Sequence, residues 1–324
     1  MSKQTIAIYR MPNEEDYYSL TSEEKLVINS EEKNGFFFSN FDTGTTYTLS
    51  NPTSIKNSWP SFEPFLNSSD EEISKENYIS KVSQIVEEIK TGRMKKVVFS
   101  RIQNVDKSNS FELKKAFKDL CNNYPKAFVY CVSSKETGTW MGASPELLMN
   151  KNEETFKTVS LAGTRTEGVN WTTKEREEQQ VVTDYILDKI NGFSSSVKVS
   201  EPFDLDTGVV IHLKSDIEFS LDKNSSLWNL VSILHPTPAV CGMPTKDAKQ
   251  LIGELEPQKR DLYTGFIGPM GINNHSSLFV NLRCMQVCND AISLYLGGGI
   301  MSESSPEKEW IETQNKAKTL IRVL

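Results

Sequence analysis

Apolar positions along the chain keep two different rhythms, and the switches between them mark out the elements. Ile79, Val82, Ile85, Val86 and Ile89 fall at helical spacing, and Gly92 closes that run. Directly after it, Lys95–Arg101 (KKVVFSR) is β-branched and reads as a strand. Further helices are expected over Phe111–Asn122, Thr173–Ile190, Leu227–Leu234, Asp247–Glu254 and from Pro306 onward. Further strands are expected over Ala127–Val132, Trp140–Met149, Thr158–Thr164, Val209–Leu221 and Tyr263–Gly268. Ser277–Val287 and Ala291–Leu296 read as a hairpin turning at Asn289-Asp290. Before all of these lies an opening section of roughly 70 residues, whose ends are set only to within a few positions. It holds short strand-like runs, Thr5–Tyr9, Gly35–Phe38 and Tyr47–Leu49, and the polar segment Asn67–Glu72 reads as a linker. Strands alternating with helices place the chain in the α/β class.

Composition narrows the class without changing it. The chain has 324 residues, enough for one large domain or two ordinary ones. Hydrophobic residues make up 37% and charged residues 24%, as in soluble globular proteins. No apolar run approaches the roughly 18 residues of a membrane span, and MSKQTIAIYR lacks the apolar core of a signal peptide. Five cysteines without framework spacing suit a reducing cytosol, so a cytoplasmic protein is expected. Cys284 and Cys288 read as small core residues. A net charge of −7 with no basic cluster argues against nucleic acid as a partner.

The candidate chemistry is densest between Leu294 and Leu320 (LYLGGGIMSESSPEKEWIETQNKAKTL). An apolar strand runs through Gly297, Gly298 and Gly299, where a backbone without Cβ atoms allows close approach. Pro306 suits a first helical turn. Glu309 and Glu312 follow at i, i+3 on one face, with Lys316 four residues further on. The plainer reading is an amphipathic helix with solvated charges. However, Glu175 and Glu178 repeat the spacing on the helix after the Gly163-Thr164 turn, with Thr173 as its N-cap. Four carboxylates converging in one cleft are costly unless a cation joins them, and oxygen-only ligation favours Mg²⁺ or another hard ion.

Other positions carry two readings each. Lys96 either snorkels to water or, if buried, serves as a general base. Glu146, between Pro145 and Leu147, is either a turn residue or a desolvated carboxyl held protonated. Gly163 and Thr164 offer donors to a carboxylate. His212 reads as a satisfied core histidine. Arg283, placed in an apolar strand, needs an anion, either a protein carboxylate or a ligand.

The ordered motifs KVVFSR, GASPELL, SLAGT, KExxE, HLKS, HPTPAVCG, FVNLRC, LGGGI and EWIET resemble those of the chorismate-utilising enzymes. That family comprises anthranilate, aminodeoxychorismate, isochorismate and salicylate synthases, and the resemblance covers Ser74–Leu324. It implies one domain over residues 1–324, with 1–72 a divergent N-terminal part of the sheet and 73–324 the catalytic core. It also implies a four-layer α–β–β–α sandwich of two large, mostly antiparallel sheets with outer helices. Glu175, Glu178, Glu309 and Glu312 would surround Mg²⁺, with Glu178 and Glu312 as direct ligands, and the metal would engage the ring carboxylate of chorismate. Arg283, Lys316 and the Gly297–Gly299 backbone would hold the enolpyruvyl carboxylate. His212 and Ala239 would line the pocket. Glu146 would protonate the departing C4 hydroxyl, and Lys96 would activate a water for attack at C2.

Within the family, Lys96 stands where anthranilate synthases carry glutamine, and Ala162 where aminodeoxychorismate synthases carry a nucleophilic lysine. The HPTPAVCG loop is similar to that of isochorismate synthases. The resemblance therefore implies reversible conversion of chorismate to isochorismate, for menaquinone or catecholate siderophore formation. Salicylate synthesis is the alternative, and a non-catalytic binding subunit is the rival outside enzymology. No amidotransferase subunit is expected, and the chain is expected to be a monomer or weak dimer. Two departures from the family pattern are Asp261, often glycine, and Gln179, often histidine. The latter is expected to alter support for Glu178.

Overall fold

The computed structural model describes residues 4–22, 26–28, 34–206, 210–221 and 227–324. The elements begin with β1 (Ile6–Arg10), β2 (Tyr17–Thr21), β3 (Val27–Ile28), β4 (Gly35–Ser39), β5 (Thr46–Ser50) and β6 (Thr53–Lys56). Next come α1 (Lys75–Lys90), β7 (Lys96–Asp106), α2 (Leu113–Asn123), β8 (Phe128–Ser134), β9 (Gly138–Ser144), β10 (Leu147–Asn152) and β11 (Thr155–Arg165). The chain continues with α3 (Thr173–Asn191), β12 (Ser194–Val199), β13 (Phe203–Asp206), β14 (Ile211–Leu221), α4 (Leu227–Leu234), β15 (Gly242–Met243) and α5 (Thr245–Leu255). It ends with β16 (Phe266–Ile272), β17 (His275–Val280), β18 (Cys284–Val287), β19 (Ala291–Ile300) and α6 (Pro306–Ile321).

The described strands form two sheets. One runs β15-β7-β19-β18-β9-β8-β1-β2-β6, and the other β12-β14-β11-β10-β17-β16-β4-β5-β3 with β13 also on β14. The opening section therefore gives strands to both sheets. Between the sheets, Tyr9, Phe128, Tyr130 and Trp140 of the first meet Phe36, Phe38, Ile267 and Phe279 of the second. On the first sheet's outer face lie α1, α2, α5 and α6, through residues such as Tyr78, Phe117, Leu251 and Leu320. Helices α3 and α4 cover the second through Val182, Ile186 and Leu230. Together these make the α–β–β–α sandwich that the resemblance implies.

Two expected strands prove to be two strands each. The run Trp140–Met149 breaks at Pro145-Glu146, where the chain leaves β9 in one sheet and enters β10 in the other. Proline cannot donate to a ladder, so the break falls where pairing stops. The expected arm Ser277–Val287 breaks at 281–283, and the chain returns from β17 to β18. Arg283 is thus in a crossing rather than in a strand, with φ +50°. The two crossings are laced together: Val280 N donates to Glu146 O at 3.0 Å, and Ala143 N to Arg283 O at 3.0 Å. In the expected strand Val209–Leu221, Val209 lies outside the described residues, and β14 begins at Ile211.

Local details follow the residue chemistry. The N-cap of α3 is Thr172 rather than Thr173, because Thr172 and Glu175 close a capping box. Asp261, where glycine is frequent in the family, has φ +46°, a conformation Asp tolerates better than most residues. The Gln179 side chain is spent on hydroxyl groups. Its amide nitrogen faces the hydroxyls of Ser160, Thr183 and Ser215 at 2.9–3.1 Å, tying α3 to β11 and β14.

One buried ion pair braces the strand that carries Lys96. Arg260 and Glu256 make a bidentate contact at 2.6 and 2.8 Å. Arg260 also donates to Val98 O and Val240 O, and Glu256 accepts from Ser100 N. Removing one partner leaves the other charge buried and alone. Arg260→Met is therefore expected to lower stability by about 3–5 kcal/mol. Urea denaturation measures this, and a loss under about 1 kcal/mol, the scale of a surface pair, would show that the brace is not needed.

Candidate active site

The site is built over the glycine segment of β19. Gly297, Gly298 and Gly299 pair with Ser100, Phe99 and Val98 of β7, so the segment is fixed as a strand. A Cβ on Gly299 would collide with Glu178 Oε1 and stand 2.9 Å from Lys96 Cε. One on Gly298 would stand 3.2 Å from Glu309 Oε2 and 3.5 Å from Glu312 Oε1. At Gly299 only glycine leaves room for Glu178, and at Gly298 a side chain would press on Glu309. Helix α6 delivers Glu309 and Glu312 on successive turns of one face, and α3 delivers Glu178.

The structure brings three of the four expected acids together. Glu175 is the exception. Its Oε2 accepts from Thr172 N at 2.9 Å and Thr172 Oγ1 at 2.5 Å, because a third-position helix glutamate has the cap donors as its nearest partners. Its backbone and Cβ pack against Gly163 instead, where φ is +74°. Each of the other three acids has a lysine. Lys96 pairs with Glu178 at 2.9 Å, Lys174 with Glu309 at 2.6 Å and Lys316 with Glu312 at 2.7 Å. Lys316 also donates to Gly297 O at 2.8 Å. Among the described residues, no three acids or other ligating groups are already gathered as a metal shell.

Lys96 is fully buried, so it does not snorkel to water. Glu146 is 3% exposed, and burial pushes its carboxyl up to about 8 despite the charges of Lys96 and Lys316. It is therefore a neutral acid at pH 7. Burial and the Glu312 charge together raise Glu309, although Lys174 opposes them. Glu312 is held below its ordinary value, because Lys316 and Lys174 outweigh its burial.

His212 has more than a packing role. Burial, then Arg283 and Lys316, pushes it down to about 3, so its ring is neutral. Its Nδ1 lies 3.0 Å from Gly163 O, which only accepts, so Nδ1 carries the proton. Nε2 then accepts from Arg283 Nη2 at 2.9 Å. Arg283 Nη1 donates to Thr319 Oγ1 at 2.9 Å. Both partners are neutral, and no ion pair of Arg283 is found among the described residues. A buried guanidinium without a carboxylate is suited to an anionic ligand.

A pocket of about 70 Å³ connects these groups. Its lining includes Glu146, Gly163, Thr164, Glu178, His212, Ala239, Arg283, Gly297–Gly299 and Lys316, as the sequence suggested. Lys96, Glu309 and Glu312 are not part of that lining. A larger cavity of about 930 Å³ lies on the far side of Pro145 and Arg283, the two residues it shares with the pocket. Its lining lacks Glu146, the three glycines and the three acid–lysine pairs named above, so the candidate site is the smaller one. Sequence reasoning passed over Lys174 and Tyr263. Lys174 had a signal, since it stands at i, i+4 from Glu178 on the same helix face. Tyr263, whose hydroxyl faces Gly297, had none.

Residues 23–324 match the family model described as "Chorismate binding enzyme". Isochorismate synthase EntC of Escherichia coli (strain K12) is 31% identical over 246 residues, 72% of this chain and 63% of that protein. The match thus spans less than two thirds of that relative's length. Isochorismate synthase DhbC of Bacillus subtilis (strain 168) is 30% identical over 77% of this chain and 68% of its own. Among solved structures, that of a putative 2,3-dihydroxybenzoate-specific isochorismate synthase, DhbC from Bacillus anthracis, superposes with a TM-score of 0.84. It covers 100% of this chain and 97% of that one at 24% identity, a likeness of fold. No helix among the described residues is long and apolar enough to cross a membrane.

The raised Glu146 carboxyl has a signature in stability. Folded, it keeps its proton to about pH 8, whereas an ordinary glutamate releases it near 4.5. Between those values the folded state holds the extra proton, so stability falls as pH rises through that window. The loss is of order 5 kcal/mol across it. Glu146→Gln removes this component, so from pH 5 to pH 8 the parent should lose stability relative to the variant. Urea midpoints that run parallel would show an ordinary carboxyl.

Proposed function

The chain belongs to the chorismate-binding enzymes, and from that premise we propose that it is an isochorismate synthase dependent on Mg²⁺. The observation that carries the reading is a neutral, buried Glu146 in a pocket backed by a buried lysine, Lys96. An acid and a base positioned together can add and remove one water each. Acting as the free amine, having given up its own proton, Lys96 takes a proton from a water that attacks C2 of chorismate. The ring double bonds shift, and the C4 hydroxyl leaves with the proton of Glu146, as water. Water enters and water departs, so the net change is isomerisation. In the reverse direction the two residues exchange roles. Lysine at position 96, where anthranilate synthases carry glutamine, suits water rather than ammonia as nucleophile. Isochorismate would then serve menaquinone or catecholate siderophore formation.

Chorismate is a dicarboxylate, and the pocket offers two cationic ends. Arg283, held by His212 and Thr319, would face the enolpyruvyl carboxylate together with Lys316. Glu178, Glu309 and Glu312 would hold the cation. They fit a hard ion because the donor set is oxygen only and because Glu309 Oε2 is buried with no hydrogen-bond partner. The bound cation supplies positive charge against the ring carboxylate.

Incubating the purified protein with chorismate and Mg²⁺ tests the reading. A chorismate–isochorismate mixture, reached from either side and lost with EDTA, is expected. Salicylate and pyruvate in equal amounts would make the protein a salicylate synthase, and full turnover in excess EDTA would remove the metal. Lys96→Ala and Glu146→Gln should each lower kcat by about 10²–10⁴-fold. Near-normal turnover of either would assign its proton transfer to another group.

A further inference from the structure

We propose that Lys174 is a resident counter-charge of the cation site: its ammonium group occupies the acidic cluster in the free protein and must leave Glu309 for a divalent cation to bind. This rests on the cation site proposed above.

Three lysines serve the cluster, and they are not equivalent. Lys96 is fully buried beneath Gly299. Lys316 is tied both to Glu312 and to the carbonyl of Gly297. Lys174 has one hydrogen bond, to Glu309 Oε1 at 2.6 Å, and its side chain is 19% exposed. It stands in the first turn of α3, so its long stem can swing to water without moving the backbone. It is also central, because its charge acts on Glu309, Glu178 and Glu312 together. Its ammonium touches Glu309 and lies close enough to Glu178 and Glu312 for its charge to act on both, as a cation held by the cluster would. The second oxygen of Glu309 is buried without a partner, so Lys174 satisfies that carboxylate only in part.

Charge counting gives the direction. Three carboxylates and three ammonium groups sum to zero. A divalent cation added to this set leaves two positive charges uncompensated in a poorly hydrated site. Withdrawing Lys174 to solvent removes one of them. Of the three lysines, it is the most exposed, and its withdrawal breaks one hydrogen bond.

The rival role for Lys174 is a static brace between α3 and α6 that keeps Glu309 in place. The two roles predict opposite signs. If Lys174 competes with the cation, removing its charge tightens cation binding. If it braces Glu309, removal weakens binding.

The test uses the full chain and Mn²⁺ alone as probe, with free Mn²⁺ counted by its solution EPR signal. Without substrate, Lys174→Met should bind Mn²⁺ at least about tenfold more tightly than the parent, the scale of one like charge removed from a partly buried site. Lys174→Arg, which keeps the charge, should stay within about threefold of the parent, since it preserves that repulsion. Glu309→Gln added to Lys174→Met should abolish the gain. Unchanged or weaker Mn²⁺ binding by a folded Lys174→Met overturns the proposal, and Lys174→Gln replaces it if the methionine variant does not fold. The parent with saturating chorismate is the control for the site itself. Mn²⁺ bound there but not tightened in the variants defeats only the role of Lys174. No Mn²⁺ bound to any protein, with or without chorismate, defeats the cation site and this proposal with it.

Discussion

Buried charges of one sign have to be matched by charges of the other, and that requirement organises this molecule. Glu178, Glu309 and Glu312 crowd onto one glycine segment, and each is held by a lysine from a different part of the chain: β7, the start of α3 and the middle of α6. An unpaired carboxylate at that depth would be protonated or expelled to water. The lysines therefore fix where α3 and α6 can lie against β7 and β19. The glycines make the arrangement sterically possible. Neither the charges nor the glycines would be stable without the other.

The architecture supplies the second half of the site. Chains that cross between two packed sheets must leave one ladder and join another, so the crossing residues have backbone groups free for new partners. Pro145-Glu146 and 281–283 are two such crossings, side by side and hydrogen-bonded to each other's flanking strands. They place an acid and a guanidinium at the same end of the sandwich. Arg283 takes a positive φ there, a conformation costly for arginine and upheld by its surroundings. His212, neutral and with its tautomer set by Gly163, then fixes the direction of the guanidinium. The function-bearing groups on this side sit where the fold is least regular.

Much of this was legible in the chain, and what was not has a physical reason. Helical periodicity located α1, α3 and α6 because each buries one face. A β-branched run located β7, and a glycine turn marked the end of β11. The breaks in Trp140–Met149 and Ser277–Val287 were hidden because both halves of each run are buried, and burial alone does not say in which sheet. Glu175 and Glu178 share a face, as spacing requires, yet spacing cannot show that the cap donors of Thr172 claim the first. The four-layer arrangement came from the resemblance of ordered motifs, since local pattern carries no information on how two sheets stack. Lys174 was passed over because a lysine between a threonine and a glutamate at a helix start reads as surface.

The small volume of the pocket is a consequence of the same charge balance. Ordinary small-molecule sites hold roughly 300–1,000 Å³, whereas the space among these side chains is about 70 Å³. Glu178 and Lys316 stand in its wall, each drawn to a partner outside the lining, and take room a ligand would use. Opening the site therefore means separating ion pairs, which a neutral ligand cannot drive. A dicarboxylate alone would add two negative charges, and a divalent cation alone two positive ones. Either by itself disturbs the balance that holds the helices. The pair adds no net charge, so in the proposed reaction each partner offsets the cost of admitting the other. A site built from matched charges selects for a ligand that arrives as a matched pair.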